Sequence, residues 1–594
     1  MKKNSLTTAV VASLAGIAGI ANISNAVNLN PDGLGQVLIY PYFTVEKGNQ
    51  TLISVVNTTN IGKAVKVRFL EGVNSREILD FNLYLSPFDV WTAAIYDTKN
   101  GPGIANSNTG PATLITRDNS CTVPTIIGRP GSNVDFRSGQ YTGTNNDSGS
   151  DAIERTREGY LEIIEMGSIP RNKFQNDERE PGFGAFIVPS VPNGTFRASL
   201  HASGGSPAGC ADIVNAWSLR DNGDFFGGVT ARDYRGSFGD FVIDQNDFAP
   251  PTGGLFGGGA VVDTANGSYI NYAAEAIDGF RSQSIHTAPE NLSPSLNSAT
   301  GINRESNPRS FVFNNGALVI SEWRLSGDTG ATGSAIAGQP TSGSTGSSID
   351  SVSAVLQSEV ISNEFATESS LNGSSEWVVT FPTKRFYVDD LYAAVFPDAT
   401  TAIPPFTNRF NRRNAAGIVE AGAARSFACE TLLFGFRNRE EAGPTSGSPP
   451  DFSPPLGGGV PASSLCFESQ VVSFNQAGGT SPSKIFGSRL NANLATFNSG
   501  WSTFDFSRTG TSTTSQNRFL RRSQPLPVGL NSGSHVWRGL PAIGFWATTL
   551  ENNAAQPGRL ANYGGAFTHK RTRNCGIVTL NTLGATVVSS CNQF

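Results

Sequence analysis

Residues 63–72 read KAVKVRFLEG. Val65, Val67 and Phe69 alternate with Lys66 and Arg68, so a strand here has one apolar face and one charged face, the pattern of a half-buried strand. The same period of two recurs in Leu79, Phe81, Leu83 and Leu85, set against Asp80, Asn82 and Tyr84. Upstream, GQVLIYPYFTV (35–45) and QTLISVVNTT (50–59) flank the turn Glu46-Lys47-Gly48-Asn49. Downstream, Ser86-Pro87 closes one run before DVWTAAIY (89–96) opens the next. Short strands in close succession, joined by turns, indicate a sandwich.

The same grammar continues along the chain. REGYLEIIEMG (157–167) and EWVVTFPTKRFYV (376–388) read as strands, and FVFNNGALVISEW (311–323) carries Asn315-Gly316, the strongest short hairpin signal present. CADIVNAW (210–217) suits a short helix. Ile349, Val352, Leu356 and Val360 recur at helical spacing, with Asp350 or Ser351 available as N-cap. Residues 97–155, 171–183, 326–348 and 442–464 read as loops rich in Gly, Ser, Pro or polar residues. No repeat of fixed period emerges. The expected fold is all-β: a large antiparallel β-sandwich, Ig-like or jelly-roll-like, with long Gly/Ser/Pro-rich loops and one or two short helices. Residues 27–594 are expected to form one elaborated body. A subdivision within 250–310 is the alternative, because Pro250-Pro251 with GGLFGGG, and later 283–308, are linker-like.

Composition narrows the classes. Of 594 residues 15% are charged, against about 25% in an average soluble protein. Disorder is excluded, because 38% hydrophobic and 10% aromatic residues supply a large core. A net charge of −5 offers no basic field to nucleic acid or anionic lipid. Residues 1–26 read as a secretory signal peptide: Lys2 and Lys3, an apolar run from Ala9 to Ala21, then Ser24-Asn25-Ala26. The mature chain would then begin near Val27, outside the cytoplasm, at the cell surface or in the medium. After the signal no apolar run approaches the roughly 20 residues of a membrane helix. Phe594 raises the question of an outer-membrane barrel, but Asn592, Ser590 and Val588 make a poor lipid-facing row.

Six cysteines fit an oxidising compartment. Cys575 and Cys591 flank what reads as a hairpin, so their side chains should meet. Cys429 and Cys466 each open a strand and form the natural second pair. Cys121 and Cys210 then pair by elimination.

The stretches GQVLIYPYFTV, TLISVVNTTN, AVKVRFLEG and LSPFDVWTAAI resemble the opening of a group of secreted or cell-surface β-proteins of proteobacteria. REGYLEIIEMG and EWVVTFPTKRFYV are similar to later parts of the same group. The resemblance covers about a fifth of the chain. It implies export and a β-sandwich core, and carries no functional residue with it.

Signatures of catalysis are missing. His201, His286, His535 and His569 have no second His or Cys at metal spacing, and neither HExxH nor GxSxG occurs. Glu162 and Glu165, at i and i+3 of one strand, point to opposite faces and cannot bracket one bond. These two and Asp389-Asp390 read as solvated surface charge. Calcium is the one cofactor the loops suggest, through Asp147, Asp151 and Glu154, through Asp221 and Asp224, or through Asp244-Gln245-Asn246-Asp247. Of Trp91, Trp217, Trp323, Trp377, Trp501, Trp537 and Trp546, Trp501 in the loop-like FNSGWSTF is the candidate for a ligand. The first functional expectation is a non-catalytic exported structural protein, a surface-layer, sheath or filament subunit that associates with itself or with other surface components. The alternatives are a glycan-binding lectin or adhesin, and a secreted hydrolase, which would show a pocket with carboxylates or a displaced His.

Overall fold

The computed structural model describes residues 26–97, 109–126, 133–147, 149–169, 201, 207, 210–216, 248–300, 307–323, 346–389, 391–392, 402–410, 428–443, 452–453, 464–475, 484–487, 490–494, 497–507, 518–520, 524–525, 534–556, 559–581 and 584–591. Residues 1–25 of the expected signal peptide 1–26, residues 171–183 and 326–345, and most of 442–464 lie outside the described residues. Strands make up 51% of the structure and helices 10%. No sheet closes into a barrel among the described residues.

Seven strands form a central sheet in the order Asn28–Leu29, Glu275–Asp278, Val37–Thr44, Glu158–Ile169, Gly62–Glu71, Glu77–Leu85 and Cys121–Val123. Six form an outer sheet in the order Ser268–Ala273, Leu255–Asp263, Gln50–Asn57, Val90–Asp97, Ala112–Ile115 and Val134–Asp135. Neighbouring strands in both are antiparallel. The chain crosses between the sheets from Val37–Thr44 to Gln50–Asn57, from there to Gly62–Glu71, and from Glu77–Leu85 to Val90–Asp97, while Gly62–Glu71 and Glu77–Leu85 pair as a hairpin within the central sheet. The alternating apolar residues meet between them: Val65, Val67, Phe69, Phe81 and Leu83 share a core with Ile53, Val55, Trp91, Ile95 and Val261.

The sandwich is three layers deep. A second six-stranded sheet contains Ser374–Thr380 and Ile543–Gln556 side by side. All seven residues of Ser374–Thr380 are buried. Val378 joins the first core, whereas Trp377 and Val379 join another. Val37–Thr44 divides the same way, with Leu38, Tyr40 and Tyr42 on one side and Val37 and Ile39 on the other. The second core is completed by the four-stranded sheet Leu433–Asn438, Ser499–Asp505, Val360–Ala366 and Lys570–Thr572, through Phe434, Phe504, Ile361 and Phe365. Strands buried on both faces carry near-continuous apolar runs, and VLIYPYFT is such a run.

Several local readings change. GGLFGGG is strand rather than linker: Leu255–Asp263 pairs with Gln50–Asn57, and Glu275–Asp278 pairs with Val37–Thr44. Its glycines are there for clearance. A Cβ on Gly257 would collide with the Tyr40 hydroxyl and the Ser54 carbonyl, and one on Gly259 with the Tyr272 hydroxyl. Residues 97–155 supply Ala112–Ile115, Cys121–Val123 and Val134–Asp135 and bury Phe136 and Tyr141, so they are not merely a surface excursion. EWVVTFPTKRFYV stays extended only to Thr380, and after Pro382 it turns into the short helix Arg385–Val388. The helix Gly346–Leu356 begins ahead of Asp350 and Ser351, which therefore do not cap it, and Val360 falls in the next strand. The Asn315-Gly316 hairpin joins Arg309–Asn314 to Ala317–Glu322, with φ of 49° and 83° at the two turn residues.

Three disulfides join Cys121 to Cys210, Cys429 to Cys466 and Cys575 to Cys591. The last two are the pairs read from the strand pattern, and the first is the one left by elimination. The first ties the edge of the central sheet to the helix Cys210–Ala216, and the last closes the hairpin of Cys575–Asn581 with Gly584–Ser590. Among the described residues no helix is long and apolar enough to cross a membrane.

Candidate functional site

The charged strand faces do not meet water. Lys66, Arg68, Asp80, Asn82 and Glu162 are buried, and so are Glu165 and Asp389, which corrects the reading of these carboxylates as solvated. Asp390 lies outside the described residues. Arg68 Nε lies 2.6 Å from Glu77 Oε2 and its Nη1 3.4 Å from Glu162 Oε2, while Arg385 Nη2 holds Glu162 Oε1 at 2.9 Å. Glu165, on the opposite face of that strand, pairs with Lys63 at 2.8 Å. Arg155 grips two carboxylates at once, Glu71 (Nε to Oε2, 2.7 Å) and Asp147 (Nη1 to Oδ1, 2.8 Å). Arg76 Nη2 reaches Asp389 Oδ2 at 2.8 Å. Charges survive burial only when paired and hydrogen-bonded, and these are.

A relay runs through the middle of this layer. Arg385 Nη1 donates to the Tyr160 hydroxyl (3.1 Å), which donates to Ser75 Oγ (2.8 Å), which donates to Glu468 Oε2 (3.0 Å). Glu468 Oε1 has no partner among the described residues. Burial pushes the Glu468 carboxyl up to about 8, against the opposing pull of Lys384 and Ser75. Displaced carboxyls often mark active sites. Here Arg385, Tyr160, Ser75 and Glu468 are all sealed from solvent, so no substrate reaches them and the network is structural.

The histidines divide three to one. Burial pushes His286 and His569 down to about 3 and His535 to about 4, so each is neutral and hydrogen-bonded within a core. His286 Nε2 meets the Tyr84 hydroxyl at 2.8 Å, His535 Nδ1 meets Ser321 Oγ at 2.9 Å, and His569 Nε2 meets the Val378 carbonyl at 2.9 Å. His201 is partly exposed and sits with Ser86 and Asp89. Its geometry is not that of a triad. Ser86 Oγ (2.8 Å) and Asp89 Oδ2 (3.4 Å) both approach Nδ1, and Nε2 is taken by Asn119 Oδ1 at 2.9 Å. A general base needs the nucleophile on one ring nitrogen and the orienting carboxylate on the other.

Of the calcium candidates, Asp147, Asp151 and Glu154 are among the described residues, and Asp147 is already engaged by cations. Asp147 is buried against Arg155, Arg76 and Asn74. Burial alone would raise its carboxyl, but the Arg155 hydrogen bond and charge, with Arg76 and Asn74, outweigh it and hold the group below its ordinary value. Guanidinium groups occupy the oxygens a cation would need. Asp151 accepts from Asn146 Nδ2 at 2.7 Å, and Glu154 sits in the turn Ile153–Arg157. Asp221, Asp224 and the 244–247 loop lie outside the described residues, and among the described residues no group of three or more His, Cys, Asp or Glu is placed to hold a metal ion.

Two surfaces remain. The first is the outward face of the outer sheet. Strand register sets Val90, Val56 and Phe256 in one row, then Thr92, Ser54 and Gly258, then Ala94, Leu52 and Ala260. Leu52, Val90, Phe256 and Tyr269 are exposed there, and so is Phe88 in the adjoining turn. The small side chains leave a hollow of about 620 Å³, with Leu52, Ile115, Arg117 and Tyr269 among the residues that line it. This face was not anticipated, although the alternation of Leu52, Ser54 and Val56 with Ile53 and Val55 contained its signal.

The second surface is Trp501. It lies in the strand Ser499–Asp505 rather than in a loop, and it is 49% exposed. Trp91, Trp323, Trp377, Trp537 and Trp546 are buried, and Trp217 lies outside the described residues. Register places Glu364 and Arg437 directly opposite Trp501 on its two neighbouring strands.

Comparisons of the chain with protein-family models, with curated proteins and with solved structures found no match.

Proposed function

We propose that this is an exported, non-catalytic protein of the cell surface or extracellular space that works by associating with further copies of itself. One observation carries the reading: the open face of the outer sheet presents Leu52, Val90, Phe256 and Tyr269 to solvent on one surface. Large side chains gathered on one sheet face mark an interaction surface, whereas scattered ones do not. At about 6.8 Å per two residues and about 4.8 Å between strands, four rows across four strands cover roughly 20 by 15 Å. That is well below the roughly 800 Å² per partner of a stable isolated pair. A contact of this size holds best when an array repeats it, as a layer, sheath or filament does. The signal-like leader, three disulfides and a sealed ionic interior support an exported, durable protein.

Sedimentation velocity and negative-stain microscopy of the oxidised protein test this. Concentration-dependent higher-order species are expected, and the double variant Leu52→Lys with Val90→Lys should shift them toward monomer. Monomer alone at all concentrations, with and without calcium, would overturn the assembly reading.

A further inference from the structure

We infer that the Trp501 face of the four-stranded sheet is a binding site for a neutral carbohydrate chain. Along Ser499–Asp505, Ser502 and Phe504 turn inward and are buried, while Trp501 and Thr503 turn outward. The outward row at Trp501 runs Arg437, Trp501, Glu364. The next runs Gly435, Thr503, Ser362, Lys570. One half-exposed indole therefore stands in a polar strip, with a cation on one neighbouring strand and a carboxylate on the other.

That composition selects the occupant. Directly opposed residues have Cβ atoms about 5 Å apart, so Arg437 and Glu364 flank a space of roughly 10 Å centred on the indole. A pyranose ring fits that span. Its C–H face stacks on the indole, and its equatorial hydroxyls reach outward to a carboxylate that accepts and a guanidinium that donates. Gly435 keeps the neighbouring row low, so a chain of sugars can continue past Thr503 and Ser362. A protein partner fits less well, because Ser362, Gly435 and Thr503 add no large apolar surface to one indole. Charged polymers fit less well too, since either sign meets a like charge, at Glu364 or at Arg437.

This site is independent of the outer-sheet face, and its test leaves self-association aside. The oxidised full-length protein is run in native gels containing laminarin, hydroxyethyl cellulose or galactomannan, with polygalacturonate as the acidic comparison. Retardation by at least one neutral polymer is expected. Trp501→Ala should weaken it at least tenfold, and Trp501→Phe should retain most of it. Glu364→Ala and Arg437→Ala, both at exposed positions, should each weaken it several-fold with melting temperature unchanged, so the test does not rest on the indole variant folding. Sedimentation of Trp501→Ala should match that of the parent. Absence of retardation by all three neutral polymers, retardation by polygalacturonate alone, or equal retardation of Trp501→Ala would each overturn the inference.

Discussion

The central and outer sheets invert the usual division of labour. In the central sheet a face bearing Lys66, Arg68, Glu162 and Asp80 is buried, whereas in the outer sheet a face bearing Leu52, Val90, Phe256 and Tyr269 is open to solvent. Both faces follow the same period of two. Alternation tells which residues share a face, and the next layer decides whether that face is wet. Over the central sheet that layer is made from distant segments: Arg385 reaches Glu162, and the carbonyls of Ala288 and Asn291 accept from Lys66 at 2.7 and 3.0 Å. The described residues place no such layer over the outer sheet.

The contrast breaks first at Arg155. Replacing it with Met leaves Glu71 and Asp147 buried without their main cation. Removing one partner of a buried ion pair costs on the order of 3–5 kcal/mol, and here two carboxylates are stranded. Urea denaturation of the oxidised variant should show a loss of this size or failure to fold. A loss below about 1 kcal/mol would mean that water reaches the network.

The pH dependence separates two groups of buried residues. Glu468 titrates at about 8 in the folded protein and near its ordinary value once unfolded. The unfolded chain therefore gives up this proton first, and stability falls as pH rises from about 4.5 through about 8. His286, His535 and His569 act in the opposite sense. Their folded values of about 3, 4 and 3 lie below the ordinary 6.5, so stability is full above pH 6.5 and falls as pH drops toward those values. Glu468→Gln should raise melting temperature by several degrees at pH 8.5 relative to the parent and change it little at pH 5. Parallel shifts at both pH values would remove Glu468 from the account.

Gly257 tests how closely the outer sheet lies on the central one. Tyr40 donates its hydroxyl to the Ser54 carbonyl at 2.6 Å, in the space a Cβ at residue 257 would need. Gly257→Ala should cost roughly 1–3 kcal/mol, as overpacking does, whereas Gly139→Ala, where the added carbon meets nothing and φ is likewise not left-handed, should change stability little and so isolates the clash.

Much of the fold was legible because it is local. The strand grammar of residues 35–96, the Asn315-Gly316 turn and the Cys575–Cys591 and Cys429–Cys466 pairs each rest on a pattern that the chain carries with it, whereas Cys121–Cys210 followed only by elimination. The site was less legible because burial is not local. Nothing near Arg68 in sequence announces Arg385, and Asp147 in an Asx-rich loop looks like a ligand until Arg155, eight residues on, folds back and Arg76 arrives from a distant strand turn. Trp501 was singled out among seven indoles from the sequence, but as a loop residue, and the strand that carries it was not read. Its flanking Glu364 and Arg437 come from strands more than sixty residues away on either count.

The smallest expected effect on stability sharpens the comparison most. Leu52→Lys with Val90→Lys puts two cations on an apolar sheet face, and on the central sheet such a change would be severe. On the outer sheet both side chains already stand in water, so equilibrium unfolding should shift by no more than about 0.5 kcal/mol per site. Self-association should fall sharply at the same time, because burying an unpaired ammonium between two sheet faces is unfavourable. Stability held and assembly lost would mark this face as one kept apolar for a partner. Stability lost would mean that a segment of the chain itself covers the face, and the open surface would then be an interior one.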